Sequence, residues 1–227
     1  MTALLSYQIA LLLRSQRWLP PLLLYGIFLV VGVQVGQPIL DSLGYAAAAL
    51  LPVTAWLVRI CVTQEPAASR AVVGAVSGTR RAHLAALLAG VVCAGAMAVA
   101  GTLIVALISE PKNANFTVEV DTVSAGTAGL LAAVVCLLLG AAVGAVCNRP
   151  LLRARGWSIA ATVLVSLAAL VTSGSPARYA VGDLVTGSLT GEVRTPGLTL
   201  VAAVLVAGAA AAVACVLGAL RDDTADD

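Results

Sequence analysis

Charged residues are scarce in this sequence, and their scarcity decides its class. Of the 227 residues, 11% are Asp, Glu, Lys or Arg, whereas 60% are apolar. Soluble domains carry about 25% charged residues, because their surface has to be solvated by water. The composition therefore excludes a soluble globular protein, and it also excludes a disordered chain, which would be polar and rich in charge. The net charge of +2 gives no indication of nucleic-acid binding.

Residues for enzymatic or metal chemistry are also few. The single histidine, His83, lies close to two arginines, and the five cysteines occur in or beside apolar runs without the CxxC spacing of metal or redox sites. The sequence contains neither a GxSxG nucleophile motif nor a GxxxxGK[ST] phosphate-binding loop. We therefore predict a chain that is not an enzyme and holds no metal or cofactor of its own.

Long stretches without ionisable residues predict membrane-spanning helices. A span needs about 20 apolar residues, and helices are favoured because lipid cannot satisfy backbone hydrogen bonds and no alternating barrel pattern is present. No ionisable side chain lies in the core of a span, which disfavours proton-coupled transport, membrane proteolysis and metal chemistry. The sequence thus predicts an all-α polytopic membrane protein with a single domain over 1–227. Its six predicted spans are 18–40, 42–62, 84–109, 122–148, 156–174 and 196–220.

The distribution of basic residues predicts the orientation of these spans. If the N-terminus is cytoplasmic, ten basic residues lie inside and three outside, which is a strong positive-inside bias. We therefore expect a multi-pass protein of the cell inner membrane with both termini in the cytoplasm. The inside set is Arg14, Arg17, Arg59, Arg70, Arg80, Arg81, Arg149, Arg153, Arg155 and Arg221, and the outside set is Lys112, Arg178 and Arg194.

Two segments outside the spans are also predicted to be helical. Residues 3–17 are too short and too interrupted by polar side chains to span, so we expect a helix at the inner interface. In the first inside loop, residues 64–77 carry Glu65 and Pro66 where a first turn would fall and Ser77-Gly78 where a helix would end. In that position Glu65 would favour the helix N-terminus by about 0.3–1 kcal/mol.

The predicted helix at 64–77 would have one apolar face. This face either rests on lipid headgroups or docks a cytoplasmic partner, and we favour the partner. The face consists of Ala68, Val72, Ala75 and Val76.

Small and polar residues within the predicted spans have two interpretations each. The pairs Gly32 with Gly36 and Gly140 with Gly144 permit close helix packing inside the bundle, or alternatively a dimer contact. The polar side chains either hydrogen-bond between helices or line a substrate path. The candidates for the path are Gln34, Thr54, Thr162 and Ser166.

The whole pattern resembles the ABC-2 type permeases, the membrane subunits of exporters that a separate ATPase drives. The resemblance covers nearly the whole chain, although the loop from 109 to 122 is too short for the large external domain of some relatives. It rests on the sequence Arg-Ser-Gln-Arg-Trp-Leu-Pro at 14–20, the six spans, the loop from Arg59 to Arg81, and the segment Pro176–Ala180.

The resemblance implies specific roles and partners. It implies that 64–77 is a coupling helix for a dimer of cytoplasmic ATPase subunits, which would bind ATP and Mg²⁺, and that 176–190 forms short re-entrant helices near the outer surface. It further implies a second copy of the permease, or a homologous one, and a path for a lipid, drug or peptide. The residues expected to contact the ATPase are Glu65, Arg70, Val72 and Val76.

Two other function classes stay open at this point. A non-transporting membrane scaffold or immunity-type protein would have the same composition, but it has no need of a capped helix between the second and third spans. A membrane enzyme or a secondary transporter is disfavoured by the absence of charges inside the spans.

Overall fold

The structure, a computed structural model, describes residues 1–148 and 155–223, and α-helices form most of this part. Apart from two isolated bridges between loop residues, this part contains no β-structure. The all-helical character predicted from the sequence is thus confirmed. The helices are α1 (Thr2–Ser15), α2 (Leu19–Gly32), α3 (Ile39–Thr63), α4 (Ala67–Ser77), α5 (Thr79–Ile108), α6 (Thr122–Val146), α7 (Arg155–Val171), α8 (Pro176–Thr190) and α9 (Gly197–Asp223).

Four of these helices are long and apolar enough to cross a membrane. They are α3, α5, α6 and, in α9, the segment Gly197–Leu217. The pair α7 and α8 supplies a fifth candidate if the two helices count as one span with a bend of 47°. By length and composition, the chain is therefore a helical membrane protein.

The first predicted span, 18–40, is divided in the structure. Its helix, α2, ends at Gly32 and has 14 residues, which is about 21 Å of helix against a hydrocarbon core of about 30 Å. The chain then turns through Gly36, whose φ of +83° is a conformation that favours glycine, and α3 begins after Pro38. A turn of this kind does not change the hydropathy of the sequence. The charge-free stretch 18–40 is therefore longer than α2, the helix that it contains.

Helices α3 and α6 form the centre of the bundle. Their most apolar windows are 67% and 72% buried, compared with 28% for α5 and 17% for α9. The two central helices approach closely because Gly140 and Gly144 of α6 have no side chain where they meet α3. A Cβ atom on Gly140 would collide with the carbonyl oxygen of Leu51, and one on Gly144 would lie 2.9 Å from that of Ala55. This glycine pair is therefore used for packing inside the bundle.

The bundle has two different ends, which we call the loop end and the α4 end. At the loop end, the connection between α2 and α3 bonds to the start of the connection between α5 and α6, since Gly36 N–H donates to Ile108 O at 3.2 Å. Helix α8 packs here against the first turns of α3, with Leu184 beside Gly44. At the α4 end, α4 connects the end of α3 to the start of α5. Helix α1 packs against α5 at this end.

Candidate functional site

Helix α4 begins later than the sequence predicts. Pro66 is its N-cap, with a ψ of 152°, and the first hydrogen bond runs from Arg70 N–H to Pro66 O at 3.0 Å. The placement of Glu65 and Pro66 in the first turn was therefore wrong, because the extended Pro66 separates Glu65 from the helix. The predicted end is correct: the helix stops at Ser77, and Gly78 follows with a φ of +86°.

One side of α4 packs on the bundle and the other is exposed. The packed side contacts α5, with Gly74 facing Thr79. The exposed side is the apolar face predicted from the sequence, and Val72 and Val76 are 65% and 86% exposed on it. We call this surface the α4 face; it consists of Ala68, Val72, Ala75 and Val76.

Arg70 does not belong to the α4 face. It is half-buried and close enough to His83 of α5 for their charges to interact. Two positions on a helix differ by about 200° around the axis, so Arg70 and Val72 lie on different sides of α4. The structure therefore does not bring Arg70 together with Val72 and Val76 on one surface.

Glu65 is buried and anchors the start of α4 to α1. One carboxylate oxygen, Oε1, accepts hydrogen bonds from Tyr7 Oη at 3.2 Å and from Ser69 Oγ at 3.1 Å, and the other, Oε2, accepts one from Gln8 Nε2 at 3.2 Å. Gln64 Nε2 donates to Gln8 Oε1 at 3.0 Å and also contacts the backbone oxygen of Gln8. These five residues form what we call the Glu65 cluster.

The Glu65 cluster is a hydrogen-bond network around two buried side chains, Gln8 and Glu65, and within it the buried Gln64 Oε1 has no hydrogen-bond partner. Gln8 is 1% exposed and Glu65 is 7% exposed, and burying a carboxylate or an amide is costly unless it is hydrogen-bonded. Three donors on the carboxylate meet this requirement and hold α1 on the connection between α3 and α4. Glu65 is therefore directed into the protein, whereas the α4 face is directed away from it.

Sequence reasoning missed four members of this cluster. Tyr7 and Gln8 are more than 50 residues from Glu65, so no local spacing connects them. The one available signal was Gln8 itself, an amide in the middle of the apolar run at 3–13. A polar residue at that position of an interfacial helix indicates either an exposed face or a buried partner, and here it has the partner.

The candidate path residues do not form one surface in the structure. Gln34 lies in the exposed connection after α2, because that helix ends at Gly32, so its placement inside a span was wrong. Thr54 is fully buried on α3 beside Gly140. Thr162 and Ser166 are buried one turn apart on α7, and Thr162 Oγ1 donates to the backbone oxygen of Ser158 at 2.7 Å.

The side-chain polar contacts at the loop end join residues that are close in the sequence. Lys112 forms an ion pair with Glu110 at 3.1 Å. Asp121 caps α6 by accepting hydrogen bonds from the Ser124 backbone N–H at 2.8 Å and from Ser124 Oγ at 2.6 Å. These bonds from Ser124 hold the pKa of the Asp121 carboxyl below its usual range, because they favour the charged form.

Within residues 1–148 and 155–223, no three His, Cys, Asp or Glu side chains come together as a metal site would require. No family model, curated protein or solved structure matches the chain. The function is therefore inferred from the architecture and from the α4 face with its anchor.

Proposed function

We propose that this chain is the membrane subunit of an ATP-driven exporter, of the ABC-2 permease type. The α4 face would dock on a cytoplasmic ATPase dimer, which would bind ATP and Mg²⁺, and two permease copies or homologues would enclose the path. The observation that carries the proposal is an exposed apolar face on a short helix whose start is fixed by a buried hydrogen-bond network.

The exposed apolar face favours a partner over water. Val72 and Val76 lie on the short helix that connects α3 and α5, two helices that are long enough to span, at the α4 end of the bundle. An apolar patch in water is a typical site for another protein. Lipid headgroups are the alternative occupant, but an interfacial helix needs no buried carboxylate to fix its direction.

Rigid attachment of α4 suits a coupling role. A partner can shift the permease between two states only through different affinities for them, so the docking helix has to transmit its position to the bundle. In this chain the Glu65 cluster connects the start of α4 to α1, and the packed side of α4 connects it to α5. A movement imposed on the α4 face would reach both helices.

The arrangement of charges supports a cytoplasmic α4 end. Arg59, Arg70, Arg80 and Arg81 lie on the helices that meet at this end, whereas the loop end carries Lys112 and Arg194, each beside a glutamate. Basic residues accumulate on the cytoplasmic side of membrane proteins. The proposal therefore places α4 in the cytoplasm and the loop end outside.

The chain crosses the membrane six times if α2 counts as one crossing and the pair of α7 and α8 counts as another. Helix α2 is shorter than the hydrocarbon core, and a short helix is accommodated by local thinning of the bilayer. Because the six crossings then begin and end on the same side, both termini are cytoplasmic. Thr54, Thr162 and Ser166 stay candidates for the path, with an amphipathic or hydrophobic substrate.

The experiment compares two valines of nearly equal exposure at opposite ends of the bundle. Val76 is 86% exposed on the α4 face, and Val35 is 85% exposed at the loop end. Expressed in its native host, the Val76→Asp protein should lose the ATPase activity that copurifies with the unaltered protein, since docking would desolvate the new charge. Val35→Asp should retain that activity.

Direct contact is tested with a photo-crosslinking amino acid in place of Val76. The captured polypeptide should also be labelled by a photoactivatable ATP analogue, whereas the same probe in place of Val35 should capture no ATP-binding chain. If Val76→Asp leaves the copurifying ATPase activity and ATP-dependent transport in vesicles unchanged, the coupling role is wrong. If no ATPase activity copurifies with the unaltered protein either, a scaffold replaces the exporter.

A further inference from the structure

Two adjacent arginines lie at the start of α5, directly after α4. Arg80 and Arg81 are both exposed, and neither forms an ion pair with another residue that the structure describes. Both of the ion pairs among the described residues lie at the loop end instead. We call Arg80 and Arg81 the arginine pair. Because like charges repel each other, an anion close to both would stabilise them.

The acidic residues of the chain are divided between its two ends. Of the 11 acidic residues, one is Glu65, which is engaged in its cluster. The loop end carries Asp41, Glu110, Glu119, Asp121, Asp183 and Glu192. The others follow the last charge-free stretch within six consecutive positions. We call residues 222–227 the acidic segment; its acidic residues are Asp222, Asp223, Asp226 and Asp227.

The end of α9 reaches the level of the start of α5. The two helices pack against each other and run in opposite directions, and Ala214 of α9 belongs to the same buried cluster as Leu87 of α5. From Leu87 back to Thr79, and from Ala214 on to Asp222, the chain covers eight residues, which is about 12 Å of helix in each case. The backbone of Asp222 therefore lies at the height of Thr79, which directly precedes the arginine pair.

Arg80 lies toward α9. It is close enough to Cys215 of α9 for their charges to interact. Position 222 follows position 215 by seven residues, which is about two helical turns, so the two positions share one side of α9. The acidic segment thus begins on the side of α9 that Arg80 approaches.

We propose that the acidic segment binds the arginine pair of the same chain and so joins the end of α9 to the start of α5, next to α4. Exposed ion pairs are individually weak, but the attachment to α9 keeps the segment at an effective concentration on the order of millimolar. The contact is held by charge, so it closes at low ionic strength and opens at high ionic strength. This inference depends on the charges and the helix positions and not on a coupled ATPase.

The test uses a photo-crosslinking amino acid in place of Ala225, which lies inside the acidic segment and carries no charge. The purified full chain is irradiated in phosphatidylcholine vesicles and digested, and mass spectrometry identifies the crosslinked peptides. The main product should join position 225 to the peptide that contains the arginine pair. An increase in NaCl from about 0.1 M to about 1 M shortens the screening length from about 10 Å to about 3 Å, so the yield should fall about threefold or more.

Two double variants remove the charges from either side of the contact. Arg80→Gln combined with Arg81→Gln, and separately Asp226→Asn combined with Asp227→Asn, should each lower the yield about threefold or more, since each leaves one side without its ionic partner. Arg194→Gln is the matched control, because Arg194 is an exposed arginine at the loop end. It should leave the yield unchanged.

Three outcomes would overturn the proposal. A yield that survives both high salt and the two double variants would mean that the segment is not held by charge. In an equal mixture of isotopically light and heavy chains, crosslinks found mainly between the two kinds would assign the segment to a second copy. In phosphatidylglycerol vesicles the attached segment should keep its crosslink, and a loss there would assign the arginine pair to anionic lipid headgroups instead.

Discussion

Gln8 of α1 donates a hydrogen bond of 3.2 Å to Glu65, which follows 57 positions later in the chain. The bond joins the N-terminal helix to the residue before the N-cap of α4, and both partners are buried. Glu65 therefore holds α4 through hydrogen bonds, both to α1 and to Ser69 of α4 itself. Removing the Glu65 side chain should therefore cost the free energy of losing a buried hydrogen-bond acceptor. This cost replaces the smaller effect of a surface charge near a helix N-terminus.

We predict that Glu65→Ala destabilises the protein by about 1–3 kcal/mol, because the buried Gln8 amide loses its acceptor. The thermal unfolding temperature in detergent should fall, and amide exchange in α1 should become faster. Glu119→Ala, at an exposed position of the loop end, should stay within about 0.5 kcal/mol of the unaltered protein. Equal effects of the two substitutions would contradict the anchoring role of Glu65.

The long helices could be predicted from the sequence, because absence of charge and helix length both follow from crossing a membrane. The prediction 122–148 corresponds to Thr122–Val146 in the structure, and 42–62 to Ile39–Thr63. The prediction of the first span was wrong around Gly36 and Pro38, because the backbone changes direction there without a change in hydropathy. The partners of Glu65 could not be predicted, because a tertiary contact leaves no periodic signal.

The close packing of α6 on α3 predicts a contrast between two glycines of the same helix. Gly144→Ala would place a Cβ atom 2.9 Å from Ala55 O and from Val58 Cβ, and overpacking of this kind costs about 1–3 kcal/mol. Gly126→Ala adds a methyl group with nothing within 4 Å, so it should stabilise α6 by about 0.5–1 kcal/mol. Thermal unfolding of the two variants in detergent measures the difference, and a Gly144→Ala protein as stable as Gly126→Ala would exclude the close approach.

The N-cap of α6 predicts a dependence of stability on pH. The pKa of Asp121 is lowered in the folded protein, so its contribution is fully present above the ordinary value of 3.8 and is lost as the pH falls through the lowered value. Asp121→Asn keeps a capping side chain but has no charge to titrate. The difference in unfolding temperature between the two proteins should therefore stay constant above pH 3.8 and shrink as the pH falls below it, and a difference that does not shrink would contradict the role of the charge.

The proposed orientation predicts which end of the bundle a reagent can reach in intact cells. Lys112 is partly exposed at the loop end, and Val76 is mostly exposed at the α4 end. The basic residues favour a cytoplasmic α4 end. In a background with the five native cysteines replaced, Lys112→Cys should react with a membrane-impermeant maleimide in whole cells. Val76→Cys should react only after the cells are permeabilised, because the membrane then no longer shields the α4 face. The reverse result would place α4 outside, and no cytoplasmic ATPase could then dock on it.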